Sequence, residues 1–239
     1  MVTQLQFPQD FVLPPELPQI PKIDGLDHIY ILTIRSKYPA RYDYAQKWVQ
    51  NSEQPITIWE GTPINQLTEA DRKFVDLSRG TRDKVGIPDA NELKRFQAVS
   101  KDHYNIWKQC KERGYKRVLI LEDDAVLARD FACRLKELIK TDVDLIFLSD
   151  ALDWHIGPHR PFIGPGLFLA EECKSRCADS YVMNKYAIET LVEHLEPFGS
   201  KMFWPVDHFL HRAAMYYNFY VAWAEPTISS QGSMKGVIF

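Results

Sequence analysis

Three short runs, residues 28–34 (HIYILTI), 116–121 (KRVLIL) and 143–148 (VDLIFL), are apolar nearly end to end and are separated by helical patterns. A strand with one wet face alternates apolar and polar residues. Continuous apolar runs belong to strands covered on both faces. Strands alternating with helices through the first 150 residues therefore predict an α/β protein, a parallel sheet with helices on both sides. Residues 39–49 read as a helix, 55–59 (PITIW) as a second strand and 129–140 as a further helix. Asn91 is the expected cap of a long helix through residue 113. Its stripe carries Leu93, Phe96, Val99, His103, Ile106, Trp107 and Cys110, and Gly114 closes it.

Beyond residue 150 the pattern weakens. Residues 151–179 lack periodicity, 180–183 read as a short strand, and Asn184 is expected to cap a helix over 185–196. A helix containing Asp207 and a strand at 219–223 follow, and the tail after them reads as loop. Five prolines within residues 1–27 predict an extended arm lying on the surface or on a partner, with a homodimer as one use for it. Residues 62–90 are polar and irregular and are expected to be solvated and mobile.

The chain has 239 residues with 45% hydrophobic content, enough for one large domain or two small ones and a substantial core. A net charge of -3 without a long run of one sign argues against a nucleic-acid partner. The first 22 residues lack a basic segment followed by an apolar one, and no window approaches 18 apolar residues, so neither a signal peptide nor a membrane span is expected. The resulting expectation is a cytoplasmic protein. Of the four cysteines, Cys110 reads as a small core hydrophobe. Cys173 and Cys177 do not have zinc-knuckle spacing and read as free thiols, with a bridge between them as the alternative.

In parallel sheets ligands bind beyond the carboxyl ends of the strands. Glu122, Asp123 and Asp124 occupy such an end, and so does Asp150. A hard divalent cation makes clustered carboxylates favourable, and Mn²⁺ or Mg²⁺ would share such a site with phosphate oxygens. Residues i and i+2 of a turn converge, which makes Glu122 and Asp124 the natural pair. The competing reading is that these acids cap the next helix or face water.

Several ordered segments resemble glycosyltransferase family 25, which includes lipooligosaccharide and collagen-type galactosyltransferases. They are HIYILTIRS, ITIWEG, HYNIW with His103 and Trp107, LILEDDAVL, SYVMNKYAIETLVEHL, WPVDHFL and EPTISSQGS. Together they cover about residues 28–235. Two departures stand out: Asp102 takes the place of a serine before the helix histidine, and Ala178-Asp179-Ser180 replaces Gly-Thr-His before the tyrosine.

The resemblance implies a GT-A fold, a Rossmann-like nucleotide half (about 28–150) with a mostly parallel sheet, fused to a smaller acceptor half (about 151–239). It implies an inverting, metal-dependent transfer of galactose, glucose or xylose from a UDP-sugar to a hydroxyl of a glycan or glycoprotein. Glu122 and Asp124 would then hold Mn²⁺ or Mg²⁺, and Asp207 would be the general base. In its helix's first turn Asp207 also suits the helix dipole. Donor contacts are assigned to Ile34, Arg35, Glu60, Asp123, Asp150, Gln231 and Ser233, and acceptor contacts to Trp154 and His208. Asp123 alternatively orients its neighbours, Asp150 alternatively caps a loop, and His103 reads as a hydrogen-bonded core residue.

Two rival readings use the same residues. One is another metal-dependent phosphate enzyme, such as a nucleotidyltransferase. A haloacid-type phosphatase is disfavoured because LEDDAVLARD lacks the required threonine or serine. The other is an inactive glycan-binding relative.

Overall fold

A computed structural model describes residues 17, 19–76, 89–150, 155–156, 160–170, 175–196 and 201–233. In chain order the elements are β1 (His28–Thr33), α1 (Pro39–Gln50), β2 (Ile56–Glu60), a 3₁₀ turn (Ile64–Gln66), α2 (Glu69–Phe74), α3 (Ala90–Glu112), β3 (Arg117–Glu122) and β4 (Ala125–Leu127). Next come α4 (Phe131–Leu138), β5 (Leu145–Phe147), β6 (Phe162–Gly164), β7 (Leu167–Leu169), β8 (Ser180–Asn184), α5 (Lys185–Leu195), α6 (Val206–Tyr217), β9 (Val221–Ala224) and β10 (Ser229–Gln231).

Eight of the strands form one sheet in the order β2-β1-β3-β8-β5-β9-β7-β6. β1 is parallel to both neighbours, and β5 is parallel to β9. β8 runs against β3 and β5, and β7 runs against β9 and β6. Every strand but β8 and β7 thus points the same way, which gives the expected α/β class with a mostly parallel sheet. β8, from beyond residue 150, lies between β3 and β5, so a single sheet carries both halves of the chain.

The apolar runs are buried as their composition predicts. Ile29 and Ile31 of β1 and Leu119 and Leu121 of β3 share one core with Trp48 of α1 and Leu135 of α4. The alternate residues Tyr30, Val118 and Ile120 face a second core with Trp107 of α3, Leu191 of α5 and Leu210 of α6. Among the described residues no helix is long and apolar enough to cross a membrane.

The part of the proline-rich arm that is described lies on the body of the chain. Ile20, Ile23 and Leu26 are at most 2% exposed and belong to the α1/α4 core. Full burial of such a side chain contributes about 1.5–3 kcal/mol, so three of them hold the segment on the body. Residues 1–16 and 18 lie outside the described residues.

The polar stretch after β2 is also ordered. Thr68 and Asp71 form a reciprocal capping box that starts α2, and Val75 bridges to Met202. Residues 77–88 lie outside the description. Finally, α3 begins two residues early, with Asp89 rather than Asn91 as its cap: the Asp89 carboxylate accepts from the amides of Asn91 and Glu92. The cap of α5 is as expected, Asn184 accepting from the Ala187 amide at 2.9 Å.

Candidate active site

A cavity of about 490 Å³ opens at the carboxyl ends of β1 and β3. β3 ends at Glu122, and the chain turns through Asp123 and Asp124 before β4. Each of the three acids is fixed differently. The Glu122 amide donates to the Asp179 carbonyl at 2.7 Å, which ties the strand end to the start of β8. Asp123 accepts from Thr33 Oγ1 at 2.7 Å and from Arg41 Nη1 at 3.0 Å. Asp124 is 4% exposed; its Oδ2 accepts from Ser233 Oγ, while its Oδ1 is buried with no partner among the described residues. A buried carboxylate oxygen without a donor costs free energy and points to something it is built to meet.

The tail supplies Ser233. β10 pairs antiparallel with β4, Gln231 opposite Ala125, and the Gly232 amide donates to the Asp124 carbonyl at 2.7 Å. Gln231 and Ser233 thereby reach the cavity wall, although the tail read as loop in the sequence. Asp207 comes from the other side, in the first turn of α6. Its Oδ1 accepts from the His208 amide at 2.8 Å, and Ser175 Oγ donates to its carbonyl at 2.9 Å. Glu122, Asp123, Asp124, Asp207, Ile34, Gln231 and Ser233 all line the one cavity.

The remaining candidates sit elsewhere. The Arg35 guanidinium lies over the Tyr42 ring at 4.8 Å, and its amide donates to Glu60 Oε1 at 3.0 Å. That pair closes the ends of β1 and β2 and is not part of the cavity wall. Asp150 is buried just beyond β5, and His208 is exposed; neither lines the cavity. Trp154 and Cys173 lie outside the described residues. Cys110 is buried, as expected, and Cys177 is a free thiol on the cavity wall. Burial and nearby carboxylates, Asp179 first, push its thiol up to about 12.

Like charges held out of water resist ionisation. Burial, then Asp124, Asp123 and Asp207, push Glu122 up to about 8, with Arg41 opposing. Asp179, a residue not picked out as functional from the sequence, is 1% exposed and is also pushed up to about 8. Burial dominates there over the Ser149 hydroxyl that donates to its Oδ1 at 2.7 Å. Asp102 is raised by burial despite two bonds from Thr62.

His103 is the core residue its helical position predicts, and it also reaches the site. Trp107 Nε1 donates to Tyr181 Oη at 3.0 Å, which leaves the hydroxyl proton to donate to His103 Nδ1 at 2.7 Å. That assignment puts the imidazole proton on Nε2, toward Glu122 Oε1 at 3.4 Å. Burial depresses the His103 pKa to about 4, so the ring is neutral at physiological pH. Tyr181→Phe leaves the Trp107 N–H and His103 Nδ1 without a partner in a site that is fully buried. We expect it to lower the unfolding free energy by about 1–3 kcal/mol, read as an earlier urea midpoint at unchanged slope.

A basic patch missed in the sequence also lines the cavity: Lys37, Tyr38 and Arg41 at the start of α1, with Arg41 paired to Asp123, and Arg95 on α3. The available signal was position, since a helix that follows a first strand begins beside that strand's carboxyl end.

Residues 100–210 match the family described as "Glycosyltransferase family 25 (LPS biosynthesis protein)". Procollagen galactosyltransferase 2 of Mus musculus is 25% identical over 223 residues, covering 85% of this chain and 34% of that protein. The Homo sapiens protein of the same name gives the same figures. The chain thus spans about a third of the length of these curated relatives. Among solved structures, a glycosyltransferase involved in glycosylation of the major capsid of PBCV-1 superposes with a TM-score of 0.41 at 10% identity, covering 83% of this chain and 81% of that one. Mouse xyloside xylosyltransferase 1 in its apo form gives 0.34 at 10% identity, covering 86% and 68%. The family match covers the later part of α3, the acidic turn and Asp207, and over those residues the chain is similar to glycosyltransferase family 25.

Proposed function

We propose that this protein is an inverting glycosyltransferase that moves galactose, glucose or xylose from a UDP-sugar to a hydroxyl of a glycan or glycoprotein. The observation that carries the reading is the meeting of Glu122, Asp124 and Asp207 around one cavity at the carboxyl ends of β1 and β3. The acidic turn and Asp207 are far apart in sequence, and a turn that merely capped a helix would not need the second.

A divalent cation fits the donor set. Glu122 and Asp124 offer hard oxygens, and Asp124 Oδ1 lacks a partner among the described residues. Among the described residues no three His, Cys, Asp or Glu side chains form a ready-made cage. The arrangement therefore suits an ion held by two carboxylates and completed by water or phosphate oxygens. Bound there, Mn²⁺ or Mg²⁺ supplies charge neutralisation to the departing diphosphate.

The chain's own residues do the rest. Asp207 takes the proton of the acceptor hydroxyl as its oxygen bonds to the anomeric carbon. The bond from that carbon to the diphosphate oxygen breaks on the opposite face, and the electron pair leaves with UDP. Ser233 and the Gly232 amide hold Asp124, and His103 steadies Glu122.

Thermal unfolding with a panel of UDP-sugars, with and without Mn²⁺, tests the reading. A hundredfold excess of a true donor over its dissociation constant should add about 2.7 kcal/mol to stability. One UDP-sugar that raises the midpoint only with metal names the donor. No shift from any of them under any metal condition removes the transferase reading in favour of another phosphate enzyme or an inactive relative.

A further inference from the structure

Arg41 is costly as placed. Its side chain is 12% exposed, its Nη1 pairs with Asp123 Oδ1 at 3.0 Å, and its Nε is buried with no acceptor among the described residues. The guanidinium lies 4.3 Å from the centre of the Tyr38 ring. The Lys37 ammonium lies 4.7 Å from the same ring. Two cations thus share one aromatic ring, all three residues line the cavity, and among the described residues Lys37 pairs with no carboxylate. The first turn of α1 contains no acidic residue. Like charges gathered on one wall, with a buried N–H left over, become favourable when an anion enters the cavity.

We propose that Lys37, Tyr38 and Arg41 form a diphosphate subsite that takes the phosphates of the nucleotide donor. The inference rests on the donor reading above and adds to it a contact that does not depend on a metal. Asp123 has a definite part in it. Held by Thr33 Oγ1 from the end of β1, it anchors the Arg41 fork beside the acidic turn. Tyr38 orients the fork by stacking, and Lys37 adds a second, mobile charge. Arg35, the nearer arginine to β1 in sequence, is occupied over Tyr42 and outside the cavity.

The test is calorimetric titration of wild type, Lys37→Gln and Arg41→Lys with UDP, inorganic pyrophosphate and uridine, in EDTA and in Mn²⁺. Lys37→Gln alters an exposed side chain, and Arg41→Lys keeps the charge beside Asp123 while losing the fork, so both should fold. Each variant should weaken UDP and pyrophosphate roughly tenfold in EDTA, the loss of one charge-assisted contact. Uridine, which lacks phosphate, should bind all three proteins alike.

Variants that bind UDP and pyrophosphate as wild type does overturn the subsite while leaving the donor reading intact. Variants that lose uridine as much as UDP show a distorted cavity and also overturn it. Wild type that binds pyrophosphate but not UDP, with both variants weakened, keeps the subsite and removes the nucleotide donor. Wild type that binds neither removes both.

Discussion

Asp207→Asn is expected to lower sugar transfer by roughly a hundredfold to ten-thousandfold, the range of a lost general base. The substitution keeps the size of the side chain and an oxygen that accepts from the His208 amide, so the first turn of α6 stays formed. It removes only the ability to take a proton. UDP binding and the Mn²⁺ response should therefore match wild type, and the loss should fall on kcat rather than KM. The cavity contains other carboxylates, Glu122 and Asp179 among them. Full activity in Asp207→Asn would move the base role to one of these. Lost UDP binding at unchanged fold would instead make Asp207 a donor contact. The measurement is steady-state transfer from the donor named by thermal unfolding, beside a UDP titration of the same preparation.

The parts of the molecule legible in sequence are those set by local pattern. The apolar runs of β1, β3 and β5 announced strands covered on both faces, and the three acids at the end of β3 announced a site at a carboxyl end. His103 was legible as a core residue because it lies on the apolar stripe of α3. Its reach to Glu122 was not, because Tyr181, the residue that orients its ring, lies on β8, 78 positions away. Asp179 was hidden for the same reason, since Ser149 and the Glu122 amide find it only when β5, β3 and β8 assemble.

In the proline-rich start, Ile20, Ile23 and Leu26 recur at every third residue and are buried in the core, a spacing that the surrounding prolines mask in the sequence. β10 is three residues long and begins with two serines, too short for any period, and only its pairing with β4 makes it a strand. Arg35 drew notice by standing next to β1. Arg41, six residues further on, reaches the cavity because the chain enters α1 between them.

Asp124→Ala should abolish the stabilisation by Mn²⁺ and, with it, transfer activity. The argument is one of ligand number. Two carboxylates suffice for a cation whose other positions are filled by water and phosphate oxygens, and one does not. At a hundredfold excess of Mn²⁺ over its wild-type dissociation constant, a gain of about 2.7 kcal/mol should fall to near zero in the variant. Misfolding is a poor alternative cause. The tail keeps its backbone tie, because Gly232 donates to the Asp124 carbonyl rather than to its side chain. Losing the bond from Ser233 costs about 0.5–1.5 kcal/mol. Against that, the negative charge of Asp124 is one of the forces that raise Glu122, and its removal relieves that repulsion. The two effects oppose each other, so the metal-free midpoint should stay close to wild type while the metal-dependent shift disappears. Only removal of a cation site gives that combination. A variant that keeps its Mn²⁺ shift would show that the acidic turn is a scaffold for β4 and the tail, with the cation, if any, held elsewhere.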